Sequence, residues 1–241
     1  MAIAVDLSVV IPAYNEARRL PPTLRAIGAL TQQLPGVRSI ETIVADDGSC
    51  DATLEVAEAH GARTTTLGRR GGVGRAARQG MLAARGARVL LCDADGPVPF
   101  EELEILYGAL DAGYQLAAGS RVLDPHKVEI RQPWHRVTMG RTWAALVRQL
   151  LPTQVRDTQC GFKLFTREAA HALFSQVRSH GFAFHVEVLS LAEGMGMRII
   201  ELPVRWRDRP GSKVRLVRDS TQMLGELVGA AWRHRVIGEP S

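Results

Sequence analysis

Two aspartates one residue apart, Asp93 and Asp95, close the apolar run Val89-Leu90-Leu91-Cys92 and precede Gly96-Pro97. Carboxylates this close repel one another unless a cation lies between them. Mg²⁺ or Mn²⁺ suits such a pair, because these hard ions are held by one or two carboxylates together with substrate phosphates. The same spelling suits a helix N-cap with a solvated acid beside it. Other acids also come after apolar runs: Glu16 after Leu7-Ser8-Val9-Val10-Ile11-Pro12, and Asp46 and Asp47 after residues 40–45. The stretch Gly68-Arg69-Arg70-Gly71-Gly72-Val73-Gly74-Arg75 runs toward a helix at Ala76, a setting that favours phosphate. It lacks the Gly-Lys-Ser/Thr of a Walker loop and is not GxGxxG in register, so a flexible basic loop fits it equally.

The elements that must position these groups are set by the apolar pattern. Runs at 7–11, 40–45, 63–67, 89–92 and 114–118 read as strands. Helices are expected at about 21–33, with Leu24, Ile27 and Leu30 on one face, after Asp51 as N-cap, from Ala76, and at 103–112. Strands alternating with helices make βαβ units, hence an α/β fold with a mostly parallel sheet. Ligands bind such sheets at the C-terminal edge, where the acids fall. The chain has 241 residues, 46% hydrophobic and 23% charged, enough for one large domain. Its formal charge of +5 favours anionic partners. Cys50, Cys92 and Cys160 form neither a disulfide framework nor a zinc site. The N-terminus does not read as a signal peptide, and no apolar run approaches the ~20 residues of a membrane span.

Four motifs in order are similar to family 2 glycosyltransferases of the GT-A fold. They are residues 8–16, then Asp46-Asp47-Gly48-Ser49 with Asp51-Ala52-Thr53, then Asp93-Ala94-Asp95-Gly96, then Arg156-Asp157-Thr158-Gln159-Cys160-Gly161-Phe162-Lys163-Leu164-Phe165. The last, with Gly211-Ser212-Lys213 after Pro203-Val204-Arg205-Trp206, resembles the dolichyl-phosphate β-glucosyltransferase branch. The resemblance implies a Rossmann-like GT-A domain over residues 1–215, with amphipathic helices near the acceptor side and a C-terminal amphipathic helix and tail over 216–241.

It also implies roles. Pro12, Tyr14 and Glu16 would line the nucleotide pocket, with Asp47 or Asp46 on the base. Gly74 and Arg78 match the family's glycine-rich pattern on the donor side. Asp93, Ala94 and Asp95 would present the metal to the diphosphate. Arg121 would neutralise phosphate or orient the sugar, and Asp157 and Gln159 would stand near the reaction centre with Asp95. The alternatives for Asp157 are an N-cap or a salt bridge to Arg156 or Lys163. Arg131, Arg136 and Lys213 are the expected acceptor cations.

The chemistry is loss of a nucleoside diphosphate from an anomeric carbon. Its growing negative charge is met by metal and Arg. A polyprenyl phosphate acceptor needs no general base, since its second pKa is about 6; a hydroxyl acceptor does need one. The expectation is metal-dependent, inverting transfer of a hexose, glucose from UDP-glucose, to a polyprenyl phosphate. The alternatives are a soluble hydroxyl acceptor, or a non-enzymatic nucleotide- or nucleic-acid-binding module. No nucleic-acid motif supports the last, and clustered acids repel phosphate without a metal.

The chain departs from the family in places. Arg70, Val73 and Arg75 stand where the glycine-rich pattern has Asn, Lys and Gly. His185 stands where relatives usually carry Asp and reads as a hydrogen-bonded pocket residue. Trp134, Val137, Trp143, Leu146, Val147, Leu150 and Leu151 recur at helical spacing after Pro133. Met223, Leu224, Leu227, Val228 and Trp232 make a second stripe. Both read either as core-packed amphipathic helices or as interfacial ones. With them goes the expectation of a cytoplasmic protein, peripheral at the inner membrane face.

Overall fold

The computed structural model describes residues 5–130, 153–208 and 223–229. Seven strands form the main sheet: β1 (Leu7–Ala13), β2 (Ile40–Asp46), β3 (Arg63–Thr66), β4 (Arg88–Leu91), β5 (Leu116–Ser120), β7 (Lys163–Thr166) and β8 (Ile199–Pro203). Their spatial order is β3-β2-β1-β4-β7-β5-β8. A small parallel pair, β6 (Val128–Ile130) and β9 (Trp206–Arg207), lies apart. Helices α1 (Leu20–Gly28), α2 (Leu30–Gln33), α3 (Thr53–Ala59), α4 (Val73–Ala83), α5 (Leu103–Asp111), α6 (Arg167–Gln176) and α7 (Phe184–Gly194) complete it.

The central strands β1 and β4 are mostly apolar on both faces because both are covered. Leu7, Val9, Ile11, Val44 and Leu90 enter one core, with α1 and α5 residues such as Leu24, Ile27, Leu103 and Leu106. Val10, Ile43, Val89 and Leu91 enter the other, with Met81, Phe165, Leu173 and Phe174. The expected mostly parallel α/β sheet is present. Its strands extend past the apolar runs: β1 continues through Pro12 to Ala13 and β2 through Asp46. The single helix expected at 21–33 is divided at Ala29, whose N–H turns back to Ala26 and Ile27. Helix α4 begins at Val73, earlier than expected. Asp51 lies before the N-cap Ala52, and its Oδ1 accepts the Thr53 N–H at 3.1 Å.

Strand β7 runs antiparallel between β4 and β5, with Lys163 level with Leu91 and Ala118. This reversal positions the site. The parallel strands β1, β2, β4 and β5 carry their C-terminal turns to one edge, whereas β7 brings its N-terminal loop there. Asp157 to Phe162 therefore meet Asp93 and Arg121 at the same edge.

Candidate active site

At this edge the turns after β1 and β2 lock together. Asn15 takes a left-handed conformation at φ 55°, which Asn tolerates better than most residues. Its N–H donates to Ser49 Oγ at 2.8 Å and its Oδ1 accepts from Cys50 N–H at 2.7 Å. Asp46 accepts from the Gly48 and Ser49 N–H groups and from Thr66 Oγ1. Asp47 accepts the Gly71 and Gly72 N–H groups, at 2.6 and 2.7 Å, both on Oδ1. Burial raises its carboxyl pKa, against the pull of those two amides. Pro12 lies opposite Ala45 in the ladder, and Tyr14, half-buried, carries the Arg70 guanidinium 4.3 Å above its ring.

The glycine-arginine segment is neither a loose loop nor an open phosphate cradle. Two of its amides hold Asp47, and Gly74 N–H donates to His180 O at 2.7 Å. A Cβ at Gly72 or Gly74 would overlap the 179–181 backbone, which excludes any side chain there. The sequence placed Gly74 and Arg78 toward the donor. In the structure Gly74 packs on this turn and Arg78 Nη2 donates to Ser175 O at the end of α6. Helix packing claims both, because α4 lies against α6.

Asp93 and Asp95 leave β4 on a tight turn in which Gly96 has φ 55°. Asp93 is exposed to solvent, yet neighbouring chain such as Gly161 crowds its carboxylate at the protein edge. That enclosure first, and Asp95 second, raise its carboxyl to about 6, opposed by Arg121, Lys163 and Arg19. Gly161 lies flat against it; a Cβ there would overlap both carboxylate oxygens. Asp95 accepts from Arg19 Nη1 at 2.9 Å, and Arg19 also forks onto both oxygens of Glu16. Buried Ala94 accepts from Thr23 through its carbonyl, which fixes the turn to α1. Two hard carboxylates, of which Asp95 raises the proton affinity of Asp93, fit a divalent ion. Among the described residues no third His, Cys, Asp or Glu completes a cluster with them.

On the other side Arg121, partly buried, and Asp157, buried, form a fork. Arg121 Nε and Nη2 each donate at 2.7 Å, and its backbone N–H adds a third bond at 2.9 Å. Burial pushes Asp157 upward, but the charge and hydrogen bonds of Arg121 outweigh it and hold the carboxyl below its ordinary value. The partner is thus neither Arg156 nor Lys163. Lys163 is fully buried and donates to the Thr158 and Cys160 carbonyls, clasping the loop from beneath. Gln159 is half-buried, and its Nε2 is enclosed without a hydrogen-bond partner. His185 stacks on Phe184 with its Nδ1 likewise unpartnered among the described residues. Burial, then Lys163 and Arg121, keep it neutral. Arg131, Arg136, Lys213 and the helix expected after Pro133 lie outside the described residues.

Sequence reasoning missed Arg19, Gly161 and Lys163. Arg19 carries a faint signal, three residues after Glu16; Lys163 carries a stronger one, a charge inside Gly161-Phe162-Lys163-Leu164-Phe165.

Fold and edge together define a GT-A glycosyltransferase. The chain belongs to glycosyl transferase family 2, whose family model matches residues 8–174. It is 37% identical over 255 residues to a dolichyl-phosphate β-glucosyltransferase of Drosophila melanogaster, covering 95% of this chain and 78% of that one. The human dolichyl-phosphate β-glucosyltransferase is also 37% identical, over 225 residues, 87% of this chain and 69% of that one. Among solved structures it is similar to glucosyl-3-phosphoglycerate synthase from Mycobacterium tuberculosis with Mn²⁺, UDP-glucose and phosphoglyceric acid. That match has 26% identity and a TM-score of 0.68, over 94% of this chain and 80% of that one.

Proposed function

We propose that this glycosyltransferase moves glucose from UDP-glucose to a polyprenyl phosphate, with inversion, at a membrane surface. The observation that carries the acceptor is the Arg121–Asp157 fork. The carboxylate best placed to serve as a base is tied to a guanidinium and shifted away from proton uptake. An already ionised phosphate needs no such base. The named relatives support glucose and a dolichyl phosphate.

Asp47 supports uridine. Its Oδ1 holds two amides, which leaves Oδ2 for one ligand donor. Uracil offers one imide N–H; guanine offers a two-donor edge that both oxygens would be needed to match. Asp93 and Asp95 would hold Mg²⁺ or Mn²⁺, which neutralises charge growing on the leaving diphosphate. Arg121, held by Asp157, faces the same edge and adds fixed positive charge. Gln159 Nε2, enclosed and unpartnered, would supply a donor to the sugar.

Residues 216–241 are assigned to a C-terminal segment that meets the membrane. Within it Leu227 is buried on the domain, while Leu224 and Val228 are 41% and 50% exposed. No helix among the described residues is long and apolar enough to cross a membrane. Contact at the cytoplasmic inner face would then be peripheral, through Arg131, Arg136, Lys213 and the two amphipathic stripes.

A second reading, a soluble phosphorylated acceptor, is favoured by the likeness to the phosphoglycerate enzyme. Purified protein given labelled UDP-glucose, with polyprenyl phosphate in vesicles or phosphoglycerate in buffer, separates them. The expected result is lipid-linked glucose that Asp93→Asn, Asp95→Asn or excess EDTA abolishes, with vesicle binding that weakens as salt rises. Turnover confined to the soluble acceptor, without vesicle binding, would install the second reading. Full activity in EDTA would remove the metal.

A further inference from the structure

The acids at the donor edge share a resident cation. Arg19 comes after the β1 turn as the residue before α1, and its backbone N–H donates to Glu16 O at 2.9 Å. Its guanidinium has two kinds of arm. Nε and Nη2 take both oxygens of Glu16, at 2.7 and 2.5 Å. Glu16 is itself fixed by its N–H on Thr53 Oγ1 at 2.7 Å, so this fork is anchored to α3. Nη1 alone crosses to Asp95, a residue 76 positions away, at 2.9 Å.

A divalent ion entering by itself competes with this arm for the charge of Asp95 and comes to rest near a guanidinium that Glu16 also holds. Both effects oppose it. A nucleoside diphosphate changes the balance, because its negative charge offsets the ion and the guanidinium together. The conflict exists only where Asp93 and Asp95 are the metal ligands, as proposed above. On that basis we propose that Arg19 is a positioning residue that makes cation binding conditional on the nucleotide. It holds Asp95 in the donor-free protein and cedes it only to an ion arriving with diphosphate.

The test measures Mn²⁺ binding by the loss of free-ion paramagnetic resonance signal, with and without UDP, and needs no turnover. Wild-type protein is expected to bind Mn²⁺ weakly alone and more tightly with UDP. Arg19→Gln should bind Mn²⁺ alone about fivefold more tightly, the factor that a partly exposed ion pair can withhold. Its gain from UDP should shrink to match. Arg19→Lys, whose ammonium cannot fork across two carboxylates, should move about twofold in the same direction and serves if the Gln variant fails to fold. Arg18→Gln removes the same formal charge from an exposed neighbour and should match wild type. Unchanged Mn²⁺ binding in both Arg19 variants, with the UDP effect intact, overturns the inference and leaves the metal site standing. An equal rise in Arg18→Gln also overturns it, by reducing the effect to net charge. No Mn²⁺ binding by any protein, even with UDP, defeats the metal reading itself and this inference with it.

Discussion

Asp47 and Asp157 stand at the same sheet edge and are held in opposite ways. Asp47 is held by two backbone amides on one oxygen, and enclosure raises its proton affinity. Asp157 is held across both oxygens by a guanidinium and an amide, and its proton affinity falls. Neutral amides leave the Asp47 side with net negative charge and an oxygen to offer. The guanidinium leaves the Asp157 side with a compensated pair and a cation fixed in place. Carboxylates of similar burial are therefore suited to different work: on the proposed reading one would meet a ligand's N–H and the other would aim a positive charge.

Breaking the Arg121 fork should have the largest effect. Asp157→Ala strands a guanidinium whose side chain is only 26% exposed. Loss of one partner from a buried pair costs about 3–5 kcal/mol. Denaturant unfolding of the variant should show that loss, together with collapse of glucosyl transfer. A loss below about 1 kcal/mol would place the pair with exposed ion pairs and erase the contrast with Asp47.

A smaller effect is expected on the amide-held side, and it should fall on the ligand. Asp47→Ala should weaken UDP binding, measured by calorimetry, by about 1.5–3 kcal/mol, the range for a hydrogen bond to a charged group. Asp46→Ala sharpens the comparison. Both Asp46 oxygens already accept from the protein, so its loss should lower stability more than UDP affinity. Equal UDP affinity in wild type and Asp47→Ala would move the base away from this turn.

The two sides also differed in how far the sequence revealed them. Every donor-side acid comes just after a parallel strand, so apolar runs ending in Asp46-Asp47 and Asp93-Ala94-Asp95 place them at one edge without further information. Asp157 and Gln159 precede a strand. Only the reversal of β7, a choice of tertiary pairing that periodicity does not record, brings them to that edge. Pairing is hidden for the same reason. Arg121 and Asp157 lie 36 residues apart, and Asp157 had nearer cations in Arg156 and Lys163. The glycine-arginine segment misled because its amides could face a phosphate or a carboxylate, and only the β2 turn decides for Asp47. Arg78 was placed by pattern, whereas its contact depends on how α4 packs on α6.

The smallest effect is the most direct measure of the contrast, because the two acids should tilt stability with pH in opposite directions. Both have an ordinary value of 3.8. Asp157 lies below it when folded. In the interval under 3.8 the unfolded chain therefore binds more protons at this residue, and its contribution to stability grows as pH rises and is lost as pH falls. Asp47 lies above it when folded. In the interval just over 3.8 the folded chain keeps the proton longer, so its contribution shrinks as pH rises. Chemical unfolding of wild type, Asp157→Asn and Asp47→Asn across this range isolates each residue by difference. Wild type minus Asp157→Asn should climb with pH and level off above 3.8. Wild type minus Asp47→Asn should be level below 3.8, descend just above it and then level off. Two curves of the same sign would mean that guanidinium and amides hold their carboxylates alike, and the division of labour between the two sides would fail.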